Sequence, residues 1–433
     1  MPPTPPALVA ADTAWMLLAT ALVLLMTPAL GFFYGGLVRA KNVLNTMMMS
    51  VASLGVVTLV WALVAYSLAF DGGNDWLGGL AFAGLRNVGL DARGTIPHLL
   101  FMAYQGTFAI VTAALISGAI VERMRFGPYL AFIGLWAATV YAPIAHWVWG
   151  GGWMSRLGVL DYAGGTVVHV NAAAAAVVAA LVLKPRNDYA RRALLPHNVP
   201  YVLLGASLLW FGWFGFNAGS ALAVNGAAAL AFVNTFLAPA ATLLVWMLLD
   251  LRRTGRATAV GAATGIVVGL VAITPAAGFV SPANALVIGA IAAIPCYFAI
   301  AWRSRTALDD SLDVAAAHGI GGITGALLTG VFAEKAWGGV DGLIGGHPGQ
   351  VGLQLMGIVV AALYSGGMTF GILKLVAFAL PLRSRQRDEA VGLDVSQHGE
   401  EAYARGEGAV LVRPGVSAPT PMPQPAAVAV AGD

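Results

Sequence analysis

The twenty residues from Gly164 to Leu183 read GGTVVHVNAAAAAVVAALVL, and their one ionisable side chain is His169. At about 1.5 Å per residue such a run spans about 30 Å as a helix, the thickness of a bilayer's hydrocarbon core. A second run, Asp313 to Ala333 (DVAAAHGIGGITGALLTGVFA), carries His318 in the same kind of setting. An ionisable side chain at membrane depth is costly unless it pairs or lines a cavity, so each histidine is a candidate functional residue.

The rest of the chain supports a membrane reading. Of 433 residues, 59% are hydrophobic and 10% charged, and the mean hydropathy is +0.79. Soluble domains carry about 25% charged residues, so lipid rather than water is the solvent that suits this composition. The net charge of +3 does not point to nucleic acid, because the basic residues cluster at the ends of apolar runs. The lone cysteine, Cys296, excludes an internal disulfide and a cysteine-based metal site. The first residues lack the positive n-region of a cleavable signal peptide, so none is expected.

Eleven apolar segments are expected near residues 14 to 38, 44 to 70, 97 to 121, 127 to 147, 164 to 183, 199 to 218, 227 to 250, 257 to 275, 283 to 302, 313 to 333 and 351 to 380. Every second loop holds basic residues: Arg39 and Lys41; Arg123 and Arg125; Lys184, Arg186, Arg191 and Arg192; Arg252, Arg253 and Arg256; Arg303 and Arg305; Arg383, Arg385 and Arg387. The positive-inside rule makes those loops cytoplasmic, with the N-terminus outside and the C-terminus inside. The opposite loops hold only Arg86, Arg93, Arg156 and Lys335.

Eleven spans fit two inverted five-helix repeats plus a C-terminal helix, a plan that many transporters use. The fifth and tenth spans then contribute one histidine each, and an axis in the membrane plane would bring them together. The fold expected is thus an all-α membrane protein: an extracellular stub at 1–13, the helical domain at 14–382, and a cytoplasmic tail at 383–433. The Pro-rich end of that tail is expected to be disordered.

Several motifs occur in order: AHWVWGGG (Ala145 to Gly152), LDYAGGTVVHVNAA (Leu160 to Ala173), GWFGFNAGS (Gly212 to Ser220), DVAAAHG (Asp313 to Gly319) and GLDVSQHGEEAY (Gly392 to Tyr403). With FFYGGLVRAKNVL in the first span, the chain resembles the ammonium transporter (Amt) family, relatives of the Rh proteins. The resemblance implies an eleven-helix bundle, a homotrimer with one path per subunit, and ammonium transport across the cell membrane, with no enzyme activity, cofactor or metal. It also implies an outer recruitment site at Phe108, Trp149 and Ser220, a gate of Phe108 over Phe216, and a twin-histidine pore at His169 and His318. Asp161 is implied as a carboxylate buried beneath the recruitment site. The tail segment resembles the region through which PII signalling proteins block the path from the cytoplasm.

Physical chemistry bears on each role. Ammonium is a strongly hydrated cation, and a site that strips its water must offer aromatic faces and directed acceptors. A lone tryptophan at a membrane edge is ordinary belt packing, and only the joint match gives Trp149 a role. For Ser220, a helix-end hydroxyl bonded to local backbone competes with substrate binding. Tyr104 stands where bacterial relatives often carry Phe, which bears on the polarity of the vestibule. Asp161 can cap the fifth span through backbone N–H groups, and a structural and electrostatic role is favoured over ligation.

Desolvating a bare cation in an apolar corridor costs on the order of tens of kcal/mol, so the ion must shed its proton or something must stand in for water. Two imidazoles sharing a proton can accept from and donate to neutral ammonia and relay the released proton. Asp313 reads as a cap of the tenth span, and Lys374 as a snorkelling residue. His98, His146, His197 and His347 fall at helix ends or in loops, where solvation or a hydrogen bond accounts for them. A membrane ammonium sensor signalling through its tail is the alternative function. An intramembrane metalloenzyme would need further ligands near the two histidines, where Ala, Gly and Val offer none.

Overall fold

The computed structural model describes residues 7–191 and 193–403. The first six residues of the stub, Arg192 and the Pro-rich end of the tail lie outside the described residues. Ten described helices are long and apolar enough to cross a membrane. They are α1 (Ala10–Leu37), α2 (Ala40–Phe70), α3 (His98–Ser117), α4 (Phe126–Leu157), α5 (Gly165–Leu183), α6 (Val199–Gly219), α7 (Gly226–Thr254), α9 (Pro282–Arg303), α10 (Ala315–Phe332) and α11 (Gly349–Ala379). The expected eighth segment is α8 (Ala259–Ile273), apolar but only 15 residues long. The only strands among the described residues, Ala92–Arg93 and Ile96–Pro97, pair antiparallel in the loop before α3.

Local chemistry sets the helix ends. The Thr258 hydroxyl accepts the Gly261 N–H at 3.0 Å to cap α8, and Pro282 opens α9 behind Ser281. After α7, Gly255 takes φ 76°, a left-handed turn that suits glycine. The third span ends at Ser117 rather than near 121, because residues 118 to 123 form turns leading into the buried Glu122 and Arg123.

Small residues let the helices approach closely, as lipid-embedded bundles require. The α1–α6 crossing depends on this: a side-chain carbon on Gly215 would meet Leu22 at 2.7 Å, and one on Gly212 would run into Met26. The outward faces carry exposed apolar side chains, among them Leu63, Leu244, Leu363 and Phe378. Such surfaces are ordinary against lipid and unfavourable in water. The chain is a multi-pass membrane protein.

At the tail-bearing end of the bundle, the inner end by the charge reading of the loops, loops and tail form one polar layer. Glu122 takes Arg39 on both carboxylate oxygens, at 3.0 and 3.1 Å, and Arg186 at 2.6 Å. Arg186 also pairs in bidentate fashion with Asp309. Burial alone would raise the Glu122 carboxyl, but the Arg186 and Arg39 charges outweigh it and hold it at about 2. Asn42 links this cluster to the tail, donating to Glu122 at 2.9 Å and accepting the Leu393 N–H at 2.8 Å. Lys41 donates to the last carbonyls of the short tail helix α12 (Gln386–Val391), at Glu389 and Ala390.

Candidate functional site

Three chambers lie along one path through the bundle. The outer one, about 290 Å³, is lined by Phe108, Trp149 and Ser220 together with Phe101, Gln105 and Tyr162. Trp149 closes the helical run Ala142–Trp149 and Ser220 follows the last turn of α6, so two helix ends and the face of α3 converge there. The Trp149 and Phe108 rings meet edge to face at 5.9 Å. Trp149 spends its indole N–H on the Asp161 carbonyl at 2.8 Å, which leaves its ring and not its donor for a ligand.

Beneath this chamber Phe108 and Phe216 lie with centroids 4.3 Å apart and ring planes tilted by 32°. The Phe108 and Phe216 side chains are 2% and 1% exposed, so the stack closes the path. The Tyr104 hydroxyl is 2.9 Å from the Gly215 carbonyl, 3.0 Å from the Phe216 carbonyl and 3.4 Å from Ser220 Oγ. Ser220 in turn donates to the Phe216 carbonyl at 2.9 Å. The local-backbone reading of Ser220 therefore holds alongside its place in the vestibule.

Below the stack the space narrows to about 10 Å³, room for about one water-sized molecule. Its walls are apolar except for the edges of His169, His318 and Trp213. The two histidines face each other through Nδ1 atoms 3.2 Å apart, with rings 27° from parallel. One Nδ1 must carry the hydrogen and the other accept it, so the pair shares a single proton along that line. His169 Nε2 is buried with no hydrogen-bond partner among the described residues. His318 also borders the inner chamber of about 460 Å³, which Tyr34, Glu122, Arg303, Ser311 and Asp313 help to line.

Each histidine sits in a π-type turn, Gly165–Val170 and Ala315–Ile320, where N–H groups bond five residues back. Such widened turns re-aim a side chain and occur often at functional sites. Asp161 caps the first of them: one carboxylate oxygen accepts the N–H groups of Gly164 and Gly165, the other those of Thr166 and Val167, at 2.6 to 3.0 Å. Burial pushes the Asp161 carboxyl upward, against the pull of those four donors.

The cap of α10 is not Asp313 as the sequence reading has it. Asp310 accepts the Ala315 N–H at 2.6 Å, whereas the Asp313 side chain pairs with Arg303. Burial pushes the Asp313 carboxyl up to about 6, against the pull of Arg303. His146 is hydrogen-bonded rather than solvated, one of the two accounts expected for it: it is 2% exposed, its ring nitrogens 3.0 Å from the Ala69 carbonyl and 2.8 Å from that of Asn74. His98 bonds Tyr66 and Arg93, His197 bonds Tyr403, and His347 is exposed.

The structure brings Phe108, Trp149, Ser220, Phe216, His169 and His318 onto one path, with Asp161 behind it. Sequence reasoning missed Trp213, whose ring stacks on His169 at 5.5 Å; its spacing of three from Phe216 on one helix was the available signal. It also missed Gln105 and Tyr34, for which no pattern pointed to the path. No group of three or more metal-ligating side chains occurs among the described residues.

Comparison with known proteins identifies the family. Residues 14–403 match the Ammonium Transporter Family. The chain is 48% identical over 398 residues to an ammonium transporter of Bacillus subtilis, covering 90% of this chain and 98% of that one. Among solved structures it is similar to Saccharomyces cerevisiae Mep2, with TM-score 0.82, 40% identity and coverage of 87% and 88% of the two chains. It is similar too to a structure described as a sensor Amt protein, with TM-score 0.84 and 30% identity over 90% of this chain and 98% of that one.

Proposed function

The chain belongs to the ammonium transporter family and is a membrane transporter of ammonium, not an enzyme; from that premise we propose how it works. Eleven helices span the cell membrane, with α8 lengthened by the turns after it, the N-terminus outside and the tail in the cytoplasm. Two inverted five-helix repeats carry His169 and His318 at matching places. Three such chains form a homotrimer with one path in each.

Ammonium is recruited in the outer chamber between the Trp149 and Phe108 rings, with the free lone pair of Ser220 as a directed acceptor. Asp161 adds a fixed negative charge nearby. The cation cannot pass the Phe108–Phe216 stack with its hydration shell, so it gives up a proton before the apolar stretch. Ammonia then donates to His169 Nε2, which lacks a hydrogen when His169 Nδ1 carries the shared proton, and accepts from the Nε2–H of His318. The released proton follows along the two imidazoles to the inner chamber, where ammonium forms again. Net charge crosses with each ammonia.

The observation that carries this reading is the 3.2 Å Nδ1 pair placed between an apolar constriction and the inner chamber. The test is electrical recording on supported membranes with reconstituted protein, ammonium against potassium. The reading expects saturating ammonium currents that disappear in His169→Leu and His318→Leu. Currents of parental size in both variants would overturn it.

PII binding beneath the trimer is the regulatory partner proposed for the tail, supported by the GLDVSQHGEEAY segment lying against the start of α2 at Asn42 and Asn45. A pull-down with a cognate PII protein, with and without nucleotide, tests it. A sensor role is the second reading, supported by the similarity to a solved sensor Amt protein. It expects signalling that survives loss of conduction.

A further inference from the structure

The π-type turn that aims His169 leaves a debt in the backbone. Within it the His169 N–H bonds the Gly164 carbonyl at 3.0 Å and the Asn171 N–H reaches back to Thr166. The helix resumes its ordinary register at Asn171, so the Val167 carbonyl is skipped and loses its helical donor. Asn171 repairs this with its own side chain: its amide N–H donates to the Val167 carbonyl at 3.0 Å. From α11, Ser365 Oγ donates to the Asn171 carbonyl at 2.8 Å. Asn171 is fully buried and touches none of the three chambers.

The turn around His318 lacks this device. There the Gly321 N–H reaches back to Ala316, which skips the Ala317 carbonyl in the same way, but Gly321 has no side chain to supply a donor. The two turns are alike in backbone register and unlike in support.

We propose that Asn171 is the positioning residue for His169: by donating to the skipped Val167 carbonyl it holds the π-type turn that aims the imidazole at His318 and the path. This rests on the twin-histidine reading and adds to it a residue on the far side of the helix. Without that donor the turn relaxes toward ordinary α register, which rotates His169 on the helix and lengthens the Nδ1–Nδ1 line. Recruitment, one chamber above, is untouched.

The test is an isosteric pair in the full-length reconstituted protein. In Asn171→Thr the hydroxyl can donate to the carbonyl four residues back, as Thr112, Thr235 and Thr274 do here; Asn171→Val has the same shape and no donor. Maximal ammonium current is expected to fall at least tenfold in Val and to stay within threefold of the parent in Thr, with half-saturation unchanged in both. Equal currents in Val and Thr, high or low, overturn the proposal, as does a change in half-saturation alone. Should Val not yield folded protein, Asn171→Ser against Asn171→Ala makes the same contrast. His169→Leu runs alongside. If it conducts normally the twin-histidine reading fails and this inference with it; if it is dead while Val and Thr behave alike, only the role of Asn171 fails.

Discussion

Asp310 stands eight residues ahead of His318 just as Asp161 stands eight ahead of His169, and each carboxylate accepts N–H groups from the first turn of its histidine's helix. The relationship is one of position more than of strength. Asp161 satisfies four donors with both oxygens, while Asp310 Oδ1 is buried with no partner among the described residues. Helices α5 and α10 begin at opposite ends of the path, so each carboxylate anchors the approach to one histidine from its own side.

The difference in support predicts a difference in cost. Hydrogen bonds to a charged group contribute about 1.5–3 kcal/mol each. Asp161→Asn loses the charge and turns one acceptor into a donor facing N–H groups, so a loss of about 3 kcal/mol or more is expected. Asp310→Asn keeps the one oxygen that is used and is expected to cost less than about 1.5 kcal/mol. Thermal melting of the detergent-purified variants checks this, and equal shifts would count against it.

Trp149 offers its ring to the outer chamber while its N–H is tied to Asp161. A cation–π contact in a partly desolvated site is worth about 1–2 kcal/mol. Trp149→Leu is therefore expected to raise the half-saturating ammonium concentration about five- to thirtyfold, with a smaller change in maximal current. A half-saturation equal to the parent's would remove Trp149 from the recruitment site.

Tyr104, where the family resemblance implies Phe, is fully buried and does not line the outer chamber. Its hydroxyl is turned onto the Gly215 and Phe216 carbonyls, and so serves the backbone of α6 more than the ligand. Tyr104→Phe should cost about 1 kcal/mol in stability and shift half-saturation less than threefold. A tenfold rise in ammonium titrations would show that the hydroxyl binds substrate.

What the sequence made legible follows from which signals are local. Apolar runs of about 20 residues are read directly, and the histidines stand out because, Asp313 at the edge of the tenth span aside, nothing else in their spans ionises. The α8 segment was harder, since its helix proper stops at Ile273 and the remainder is irregular turns. The cap of α10 went to Asp313 by nearness to the helix, but a carboxylate further back can reach the first N–H groups when the intervening backbone folds over, and Asp313 itself takes φ 59°. Gln105 and Asn171 were illegible for another reason. Their roles arise from a π-type register or from helix convergence, and neither leaves a periodic trace.

Glu122 gives the inner layer a pH dependence of definite sign. Its carboxyl is held at about 2 in the folded protein, below its ordinary value of 4.5, by Arg186 and Arg39 against the cost of burial. A depressed carboxylate contributes stability above its unfolded pKa and loses it as the pH falls toward the folded one. At neutral pH the shift corresponds to roughly 3 kcal/mol. Glu122→Gln should therefore lower the melting temperature clearly at pH 7, where two arginines lose their shared partner. The gap between variant and parent should narrow as the pH drops from about 4.5 toward 2, because the parent is then becoming protonated as well. Melting curves of both proteins across that window check the sign. A gap that widens on acidification would mean that the Glu122 charge is not what holds Arg39 and Arg186 together.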